Sequence, residues 1–440
     1  MSRRSLSDTG TNTEGMLSNS AREAQTIVRL IELRGHILDS GIFSRVLGIL
    51  TDYEQTSYII EEFDSGQTKN DVSYARLSII ADDAAVMRDV LDRLRDVGAT
   101  VLTDHDVTTE PAPADGVLPD LFYATTNFPT EVRIGGTWVP VALPEMDCAI
   151  VVEDDGARTV APSDVVAREQ VVVGTEGVRV QIPQRARKKA VFEFMASAVS
   201  SEKPRQALLG EVARELLAVL AGGKRVLLVG GPAIVHTGAA PYLAELIRDG
   251  YVNAIFAGNA LAVHDIESQF FGTSLGVNLH DAFPAEEGHV HHLRAVNRIR
   301  RVGGIANAIE SGMLTGGVMY EAFKKQIPVV LAGSIRDDGP IPDVITDVVE
   351  CQRAMRRYVP EIGMALMVCT LLHSIAVGNL LPATVKTISV DINPSSVTKL
   401  TDRGSHQTLG IVMDASSFLR ELTLAIHAVE RSAEPTGLTS

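Results

Sequence analysis

Six short stretches place glycine, small polar residues or a carboxylate directly after apolar runs. They are Gly230-Gly-Pro-Ala, Gly258-Asn-Ala-Leu-Ala-Val-His-Asp, Gly333-Ser-Ile-Arg-Asp-Asp-Gly-Pro, Thr370-Leu-Leu-His-Ser, Asp391-Ile-Asn-Pro and Asp414-Ala-Ser-Ser. Glycine lets a backbone approach a ligand closely, and amides at a helix start hold a pyrophosphate, so the set outlines a nucleotide site. The short dinucleotide fingerprint G-x-G-x-x-G is absent, because no matching glycines follow Gly230-Gly231-Pro232. The site is therefore expected to be assembled from several strand ends. An acidic residue at one of them would accept both ribose hydroxyls. Asp391, directly after Ile388-Ser-Val, has that place, and its charge would repel a 2′-phosphate, which favours NAD over NADP. The same residue would equally well cap the turn before Pro394.

Five of the eleven histidines fall between His264 and His292, including His289-Val-His-His. Imidazoles at such spacing bind zinc only where three or four ligands converge, and neither thiolates nor a helical H-E-x-x-H accompany them, so no metal is expected. No Gly-x-Ser-x-Gly elbow and no Walker loop occur, which disfavours hydrolase and kinase chemistry. Cys148 lies in an apolar run and reads as packing, not as a nucleophile.

The elements that must position these residues follow from the apolar patterns. From Gln206 onward, six short apolar runs alternate with helical stretches. The runs are Arg225-Val-Leu-Leu-Val, Asn253-Ala-Ile-Phe-Ala, Pro328-Val-Val-Leu-Ala, Ala365-Leu-Met-Val-Cys, Thr387-Ile-Ser-Val and Leu409-Gly-Ile-Val-Met. Helices are expected at Ala240 to Arg248, His291 to Ile309, Val344 to Arg357 and Ser416 to Val429. Continuous apolar runs bounded by Gly, Asn or Asp mark parallel strands buried on both faces, so this part reads as a Rossmann-like, doubly wound α/β domain. Ligands of such a sheet bind beyond the carboxyl ends of the strands, where the six polar stretches fall.

Upstream, strand patterns at Thr26 to Arg34, Tyr58 to Phe63 and Tyr74 to Ile80 alternate with helical ones at Ile42 to Leu50 and Asp83 to Val97, which Gly98 closes. This predicts a small α+β domain with helices on one face of an antiparallel sheet. Between it and the α/β part, Leu121 to Pro183 carries short β-rich runs separated by Gly and Pro turns. The basic run Arg185 to Lys189 reads as a solvated linker. The expected boundaries are 1–25, a disordered tail; 26–115, α+β; 116–190, β-rich; 191–432, the Rossmann-like domain; and 433–440, a tail.

Composition narrows the partners. With 440 residues, 45% apolar and 22% charged, the chain is long enough for two or three domains with their own cores. Forty basic against 55 acidic residues give −15, which argues against coating nucleic acid or anionic lipid and leaves small molecules or copies of itself as partners. The longest apolar stretches, such as Met364 to Leu372, fall well short of the roughly 20 residues of a membrane helix. Met1 to Ser20 is polar and lacks the apolar centre of a signal peptide. Three cysteines, Cys148, Cys351 and Cys369, are odd in number and far apart, as in a reducing cytoplasm. A single Trp and 5% aromatics disfavour a stacking platform for single strands.

Several longer runs resemble one family. Arg34-Gly-His-Ile-Leu-Asp-Ser, Asp71-Val-Ser-Tyr-Ala-Arg, Tyr123-Ala-Thr-Thr-Asn, Glu145-Met-Asp-Cys-Ala-Ile-Val-Val, Gly231-Pro-Ala-Ile-Val-His-Thr-Gly, Gly258-Asn-Ala-Leu-Ala-Val-His-Asp-Ile-Glu, Leu331-Ala-Gly-Ser-Ile-Arg-Asp-Asp-Gly-Pro and Val390-Asp-Ile-Asn-Pro look like the archaeal-type ornithine cyclodeaminases. The same module forms the carboxy-terminal part of cyanobacterial bifunctional arginine dihydrolase/ornithine cyclodeaminases. The resemblance runs from about Thr26 to Leu424. Its first segment is similar to the LOR/SDH conserved region of bifunctional lysine-ketoglutarate reductase/saccharopine dehydrogenases. Its α/β part resembles the NAD-binding fold of deoxyhypusine synthase, which also lacks the short glycine fingerprint. No arginine dihydrolase domain is expected, since only the polar stretch precedes Thr26.

The resemblance implies NAD contacts at Asn259 and Ala260, at Asp338, at Thr370, Leu371, Leu372 and His373, at Asp391, and at Asp414 with Ala415. It also implies a redox-neutral reaction. NAD+ accepts hydride from an amine-bearing carbon of ornithine; the imine formed is attacked by the other amine, ammonia leaves, and the cyclic imine takes the hydride back to give proline. A base must first deprotonate the substrate ammonium, and a carboxylate must receive the remaining cationic amine. Asp265 and His264 are the candidates, with an ordinary helix cap and a loop histidine as the alternatives; Glu310 is a further acidic possibility that a solvated helix face explains as well. Arg76 or Asn127 would orient the substrate carboxylate.

The same fold and cofactor would serve a dehydrogenase or cyclodeaminase acting on lysine, another diamino acid or an opine, because one methylene is worth only about 1–3 kcal/mol of discrimination. A non-catalytic NAD or amino-acid sensor is the answer of a different class, and the complete set of polar strand ends disfavours it. Self-association into a dimer or tetramer is expected.

Overall fold

The structure is a computed structural model in which residues 26–35, 37–38, 41–66, 71, 73–102, 105–154, 156–181, 205–337, 339–403 and 408–433 are described. The chain divides at Leu102/Thr103 into two compact units.

The first unit runs β1 (Ile27–Gly35), α1 (Ile42–Thr51), β2 (Thr56–Asp64), β3 (Ser73–Ala81), α2 (Ala84–Asp96) and β4 (Thr100–Leu102). Its sheet has the order β2-β3-β1-β4, antiparallel throughout. Alternation puts Ile31 and Leu33 of β1 and Ala75, Leu77 and Ile79 of β3 on one face, where Val46, Leu50, Val90 and Leu94 of the helices bury them. The α+β reading missed only β4, whose three residues are too few to show a period.

The second unit begins with a sheet of seven short strands: β5 (Thr108–Pro111), β6 (Thr130–Ile134), β7 (Thr137–Ala142), β8 (Ala149–Glu153), β9 (Gly156–Val160), β10 (Gln170–Val173) and β11 (Val178–Val180), in the order β11-β6-β7-β9-β8-β10-β5. Because β5 pairs with β10, the boundary falls before it and not near residue 115; Pro111 is tolerated because β5 is an edge strand.

The remainder is the doubly wound α/β domain. Its elements are α3 (Arg205–Ala221), β12 (Arg225–Gly230), α4 (Ala233–His236), α5 (Ala240–Arg248), β13 (Ala254–Gly258), α6 (Asn259–Phe271) and the small hairpin β14 (Thr273–Ser274) and β15 (Val277–Asn278). Then follow α7 (His291–Val302), α8 (Ile305–Glu310), α9 (Val318–Lys324), β16 (Val329–Ala332), β17 (Val344–Ile345), α10 (Val348–Arg356) and β18 (Ile362–Val368). The last elements are α11 (Leu371–Leu380), β19 (Lys386–Asp391), α12 (Pro394–Arg403), β20 (Thr408–Val412) and α13 (Ala415–Ala433). The seven strands β17-β16-β13-β12-β18-β19-β20 are all parallel. Both faces are apolar because both are covered. Val226, Leu228, Ile255 and Leu366 pack under α3, α5, α6 and α13, while Leu227, Val229, Phe256 and Met367 pack under α10 and α11.

Two expected helices differ in extent. The stretch from His291 breaks at Gly303-Gly304 into α7 and α8. The one from Val344 starts at Val348, because Val344 and Ile345 pair with β16 and the Asp347 carboxylate then caps the helix through the amides of Val349 and Glu350. No helix among the described residues is long and apolar enough to cross a membrane.

The β-rich sheet is fastened to the α/β domain at the amino edge of the parallel sheet. Helix α11 leaves the carboxyl end of β18 and runs back along it for 10 residues, about 15 Å, so the residues after it lie at the opposite edge. There Ala383 N donates to Asn127 O (2.7 Å) and Met146 N donates to Asn379 O (3.1 Å). At the end of α10, the Arg356 guanidinium meets the buried Glu145 carboxylate through Nε (3.0 and 2.9 Å) and Nη2 (2.8 Å), and Arg353 pairs with Asp164 at 2.7 Å. Removing one partner of a buried pair strands the other's charge. Glu145→Ala is expected to lower the unfolding free energy by about 3 kcal/mol in urea titrations, and the apolar pair Glu145→Leu with Arg356→Met to recover most of it.

Candidate functional site

Strand order reverses between β12 and β18, and at that switch point a crevice opens beyond the strand ends. Gly231 N donates to Val368 O at 3.0 Å, and a Cβ on Gly231 would stand 2.0 Å from the Cys369 carbonyl oxygen, so only glycine lets the two strand ends pass this closely. The neighbouring ends are tied in the same way: Cys369 N donates to Val390 O (2.9 Å) and Met413 N to Asp391 O (3.1 Å). This gathers Thr370, Asp391 and Asp414 around Cys369, whose thiol is pushed up to about 12, first by burial and then by the two carboxylates.

The residues expected to hold a dinucleotide divide by what they are free to do. Asp391 answers to both readings of it. Oδ1 accepts from Asn393 N (2.8 Å) and caps the turn, while Oδ2 makes no hydrogen bond among the described residues. Asp414 caps α13 through Ser417 N (2.9 Å), an amide that, against some burial, holds its carboxyl below the usual range; Ala415 beside it is buried and offers only backbone. Thr370 opens α11 in extended conformation with no side-chain cap, which leaves the first amides of the helix without a side-chain acceptor. The Leu372 side chain points to solvent, whereas His373 is half-buried. Burial pushes the His373 imidazole down to about 4, and its Nε2 is buried without a partner. Asn259 begins α6 and accepts from Ile341 N (3.2 Å), holding the loop after β16 against Ala260 and the helix start. Asp338 lies outside the described residues. A free carboxylate oxygen, uncapped helix amides and an orphaned imidazole nitrogen at adjacent strand ends fit a ribose and a pyrophosphate.

The expected catalytic pair separates. Asp265 is fully enclosed, and its two oxygens accept from Val318 N (2.9 Å) and Met319 N (2.8 Å), so it caps α9, the alternative that its sequence left open. Burial pushes its carboxyl up to about 6 against the pull of those amides. His264, one residue earlier, turns the other way. Its Nδ1 lies 2.8 Å from Glu267 Oε2, and its Nε2 makes no hydrogen bond among the described residues. Glu267 was not foreseen, although His-x-x-Glu within a helix puts both side chains on one face and was legible as such. Glu310 is exposed on α8. The substrate-orienting candidates are engaged by partners of their own. The Asn127 side-chain amide reaches Leu381 O (3.4 Å) at the amino edge of the sheet, and Arg76, in the first unit, is held by Glu32 (2.8 Å) and Glu62 (3.6 Å). Among the described residues, the His, Asp and Glu side chains placed to share a metal ion are Glu245, Asp249 and His427, none of them from the histidine-rich segment of the sequence.

Residues 210–422 match the family described as arginine dihydrolase ArgZ-like, C-terminal, Rossmann fold; residues 129–209 match its first region, and residues 28–128 the LOR/SDH bifunctional enzyme conserved region. The chain is 48% identical over 406 residues to a Methanothermobacter thermautotrophicus protein named ornithine cyclodeaminase, covering 92% of this chain and 98% of that one. A Methanococcus maripaludis LOR/SDH protein of known structure superposes with a TM-score of 0.70 at 48% identity, over 74% of this chain and 99% of that one. The crystal structure of AgrE in ternary complex with ornithine and NAD+ superposes with a TM-score of 0.51 at 41% identity, over 92% of this chain and 58% of AgrE.

A carboxyl that titrates higher in the folded chain than its ordinary 3.8 binds its proton more tightly there, so its contribution favours folding at acid pH and is lost as pH rises from about 4 to about 6. Asp265→Asn abolishes that titration. The stability difference between the unaltered chain and this variant, followed by urea unfolding, is expected to shift by about 2 kcal/mol between pH 4 and pH 6, with the unaltered chain gaining at the acid end.

Proposed function

This chain belongs to the archaeal-type ornithine cyclodeaminase family, and from that membership together with its strand-end geometry we propose that it converts L-ornithine to L-proline and ammonia with NAD as resident cofactor. The observation that carries the reading is the placing, at the ends of the neighbouring strands β18 and β19, of the free Asp391 oxygen, the uncapped start of α11 and the orphaned His373 nitrogen. Support comes from the solved complex of AgrE, a relative that binds ornithine and NAD+.

In this proposal Asp391 Oδ2 receives the ribose hydroxyls, and the amides of Leu371, Leu372 and His373 face the pyrophosphate. The absence of cationic side chains from the Asp391-Ile-Asn-Pro turn favours NAD over its 2′-phosphorylated form. When bound, NAD supplies a reversible hydride acceptor and so lets an amine be activated, displaced and reduced without net oxidation. The protein must take a proton from the substrate ammonium before that transfer. His264 Nε2, unbonded and backed by Glu267, is the group assigned to it; Asp265, occupied at both oxygens, serves by holding α9. The three free thiols, Cys148, Cys351 and Cys369, support a reducing, cytoplasmic setting for the enzyme.

The test is incubation of the purified full chain with ornithine and catalytic NAD+, measuring proline, ammonia and absorbance of NADH. Proline and ammonia without accumulating NADH is the expected result. Stoichiometric NADH, with ornithine or lysine, would make it a dehydrogenase; NAD binding with neither product would leave a sensor. Asp391→Ala is expected to weaken NAD binding by about 10- to 100-fold in calorimetric titration, the worth of a charge-assisted hydrogen bond, and unchanged affinity would remove Asp391 from the site.

A further inference from the structure

Glu267 is enclosed beneath the turn that follows α6, and no titrating role in the proposed chemistry has been given to it. It is also saturated with donors. Oε1 accepts from Thr273 Oγ1 (2.9 Å) and Gly276 N (3.0 Å), and Oε2 accepts from Leu275 N (3.2 Å) and faces His264 Nδ1 (2.8 Å). Burial works to raise this carboxyl, but the hydrogen bonds from His264, Gly276 and Thr273 outweigh it and keep it below the usual range. The turn that brings those amides in depends on Gly276 and Gly288. Gly276 has φ +72°, and a Cβ on either residue would lie within 2.5 Å of the other's backbone. A loop closed backbone against backbone aims its donors at one carboxylate without side-chain freedom to lose.

Around this centre stand three further imidazoles. His236, from α4, lies edge-on to His264 with ring centroids 4.8 Å apart, and its Nδ1 is 2.7 Å from Ser274 Oγ; burial first, with His264 adding to it, pushes His236 down to about 4, so it is neutral at pH 7. His291, from α7, has Nδ1 2.9 Å from Thr273 Oγ1 and stacks on Phe271, and His292 of the same helix lies 6.2 Å from His264, centroid to centroid.

We propose that Glu267 is the positioning residue of the reaction: held as an anion by the Thr273–Gly276 turn, it fixes His264 in the Nδ1–H tautomer and leaves Nε2 as the proton acceptor for the substrate ammonium. The inference rests on the cyclodeaminase reading given above. The step balances simply. The R–NH3+ group of the substrate becomes R–NH2, its proton moves to Nε2, and the resulting imidazolium is stabilised by the adjacent carboxylate, which keeps its own negative charge. An anion with every lone-pair direction already directed by fixed donors cannot rotate away from the ring, which is the geometric requirement on a group that orients a base.

Glu267→Gln tests it. Whichever way the replacing amide turns, its NH2 meets the N–H of Leu275 or of Gly276, so the ring is no longer held in one tautomer and its imidazolium loses the adjacent charge. Expected is a fall in kcat of about 10²- to 10⁴-fold, with KM for ornithine and Kd for NAD within about threefold, and loss of the imidazole limb from the pH profile of kcat. The charged and titratable groups facing that ring, His236, His292 and Glu267 itself, make the limb report on the cluster as a whole. A kcat retained within threefold, or a loss matched by the fraction of unfolded protein in a melting curve, overturns the proposal. Nitrogen NMR of the unaltered chain with 15N-labelled imidazoles, with His264 identified by the signal lost in His264→Asn, gives a reading that needs no variant activity. A protonated Nδ1 with bare Nε2 supports the assignment, and the opposite tautomer refutes it. Absence of proline from the unaltered chain would instead refute the cyclodeaminase reading and leave the tautomer result standing.

Discussion

Everything at the carboxyl edge of the parallel sheet depends on one close approach of backbone to backbone, that of Gly231 to the carbonyl of Cys369. A side chain there would push β12 and β18 apart at their ends. With it absent, the two central strands stay in register to their last residues, and the chain can wind outward from them in both directions. The crevice is the gap between the helices that leave on opposite faces. Its chemical equipment then follows from what ends each strand: a carboxylate at the end of β19, an uncapped helix after β18, and a half-buried imidazole in the first turn of that helix.

The composition of the strands made this architecture readable. Runs such as Val226-Leu-Leu-Val and Ala365-Leu-Met-Val have no polar alternation because both faces are covered, and that requirement is imposed by the fold itself, so it leaves a local mark in the sequence. Where the mark was short, it was missed. Thr100-Val-Leu and Val344-Ile are strands only because a longer neighbour offers them an edge. The edge strand β5 was placed in the wrong unit for a related reason: its pairing with β10 joins residues some sixty positions apart, a separation on which local pattern is silent.

The site was legible to a lesser degree, and the division is physical. Positions fixed by a strand end, Asp391 and Thr370 among them, could be located because the end of an apolar run is itself visible. Side-chain direction within α6 could not. His264 and Asp265 are consecutive, and a turn of about 100° between them sends one to Glu267 and the other to the start of α9. Which of two adjacent polar residues meets Glu267 and which fastens a neighbouring helix is decided by partners such as Val318, more than fifty residues downstream. The same holds for Asn127, whose partner carbonyl, that of Leu381, lies at the other end of the sequence and on the other edge of the sheet.

That last placement divides the labour of the second unit. The β-rich sheet grips the amino edge of the parallel strands through Glu145, Asp164 and Asn127, and the polar strand ends stand on the edge opposite. The seven residues of β18 span about 23 Å, so side chains at one edge do not touch those at the other. Loops of the carboxyl edge are therefore open to drift, insertion or deliberate redesign while the grip on the far edge is preserved. Lineages that keep the grip and vary the rim would acquire new substrates without having to refound the domain.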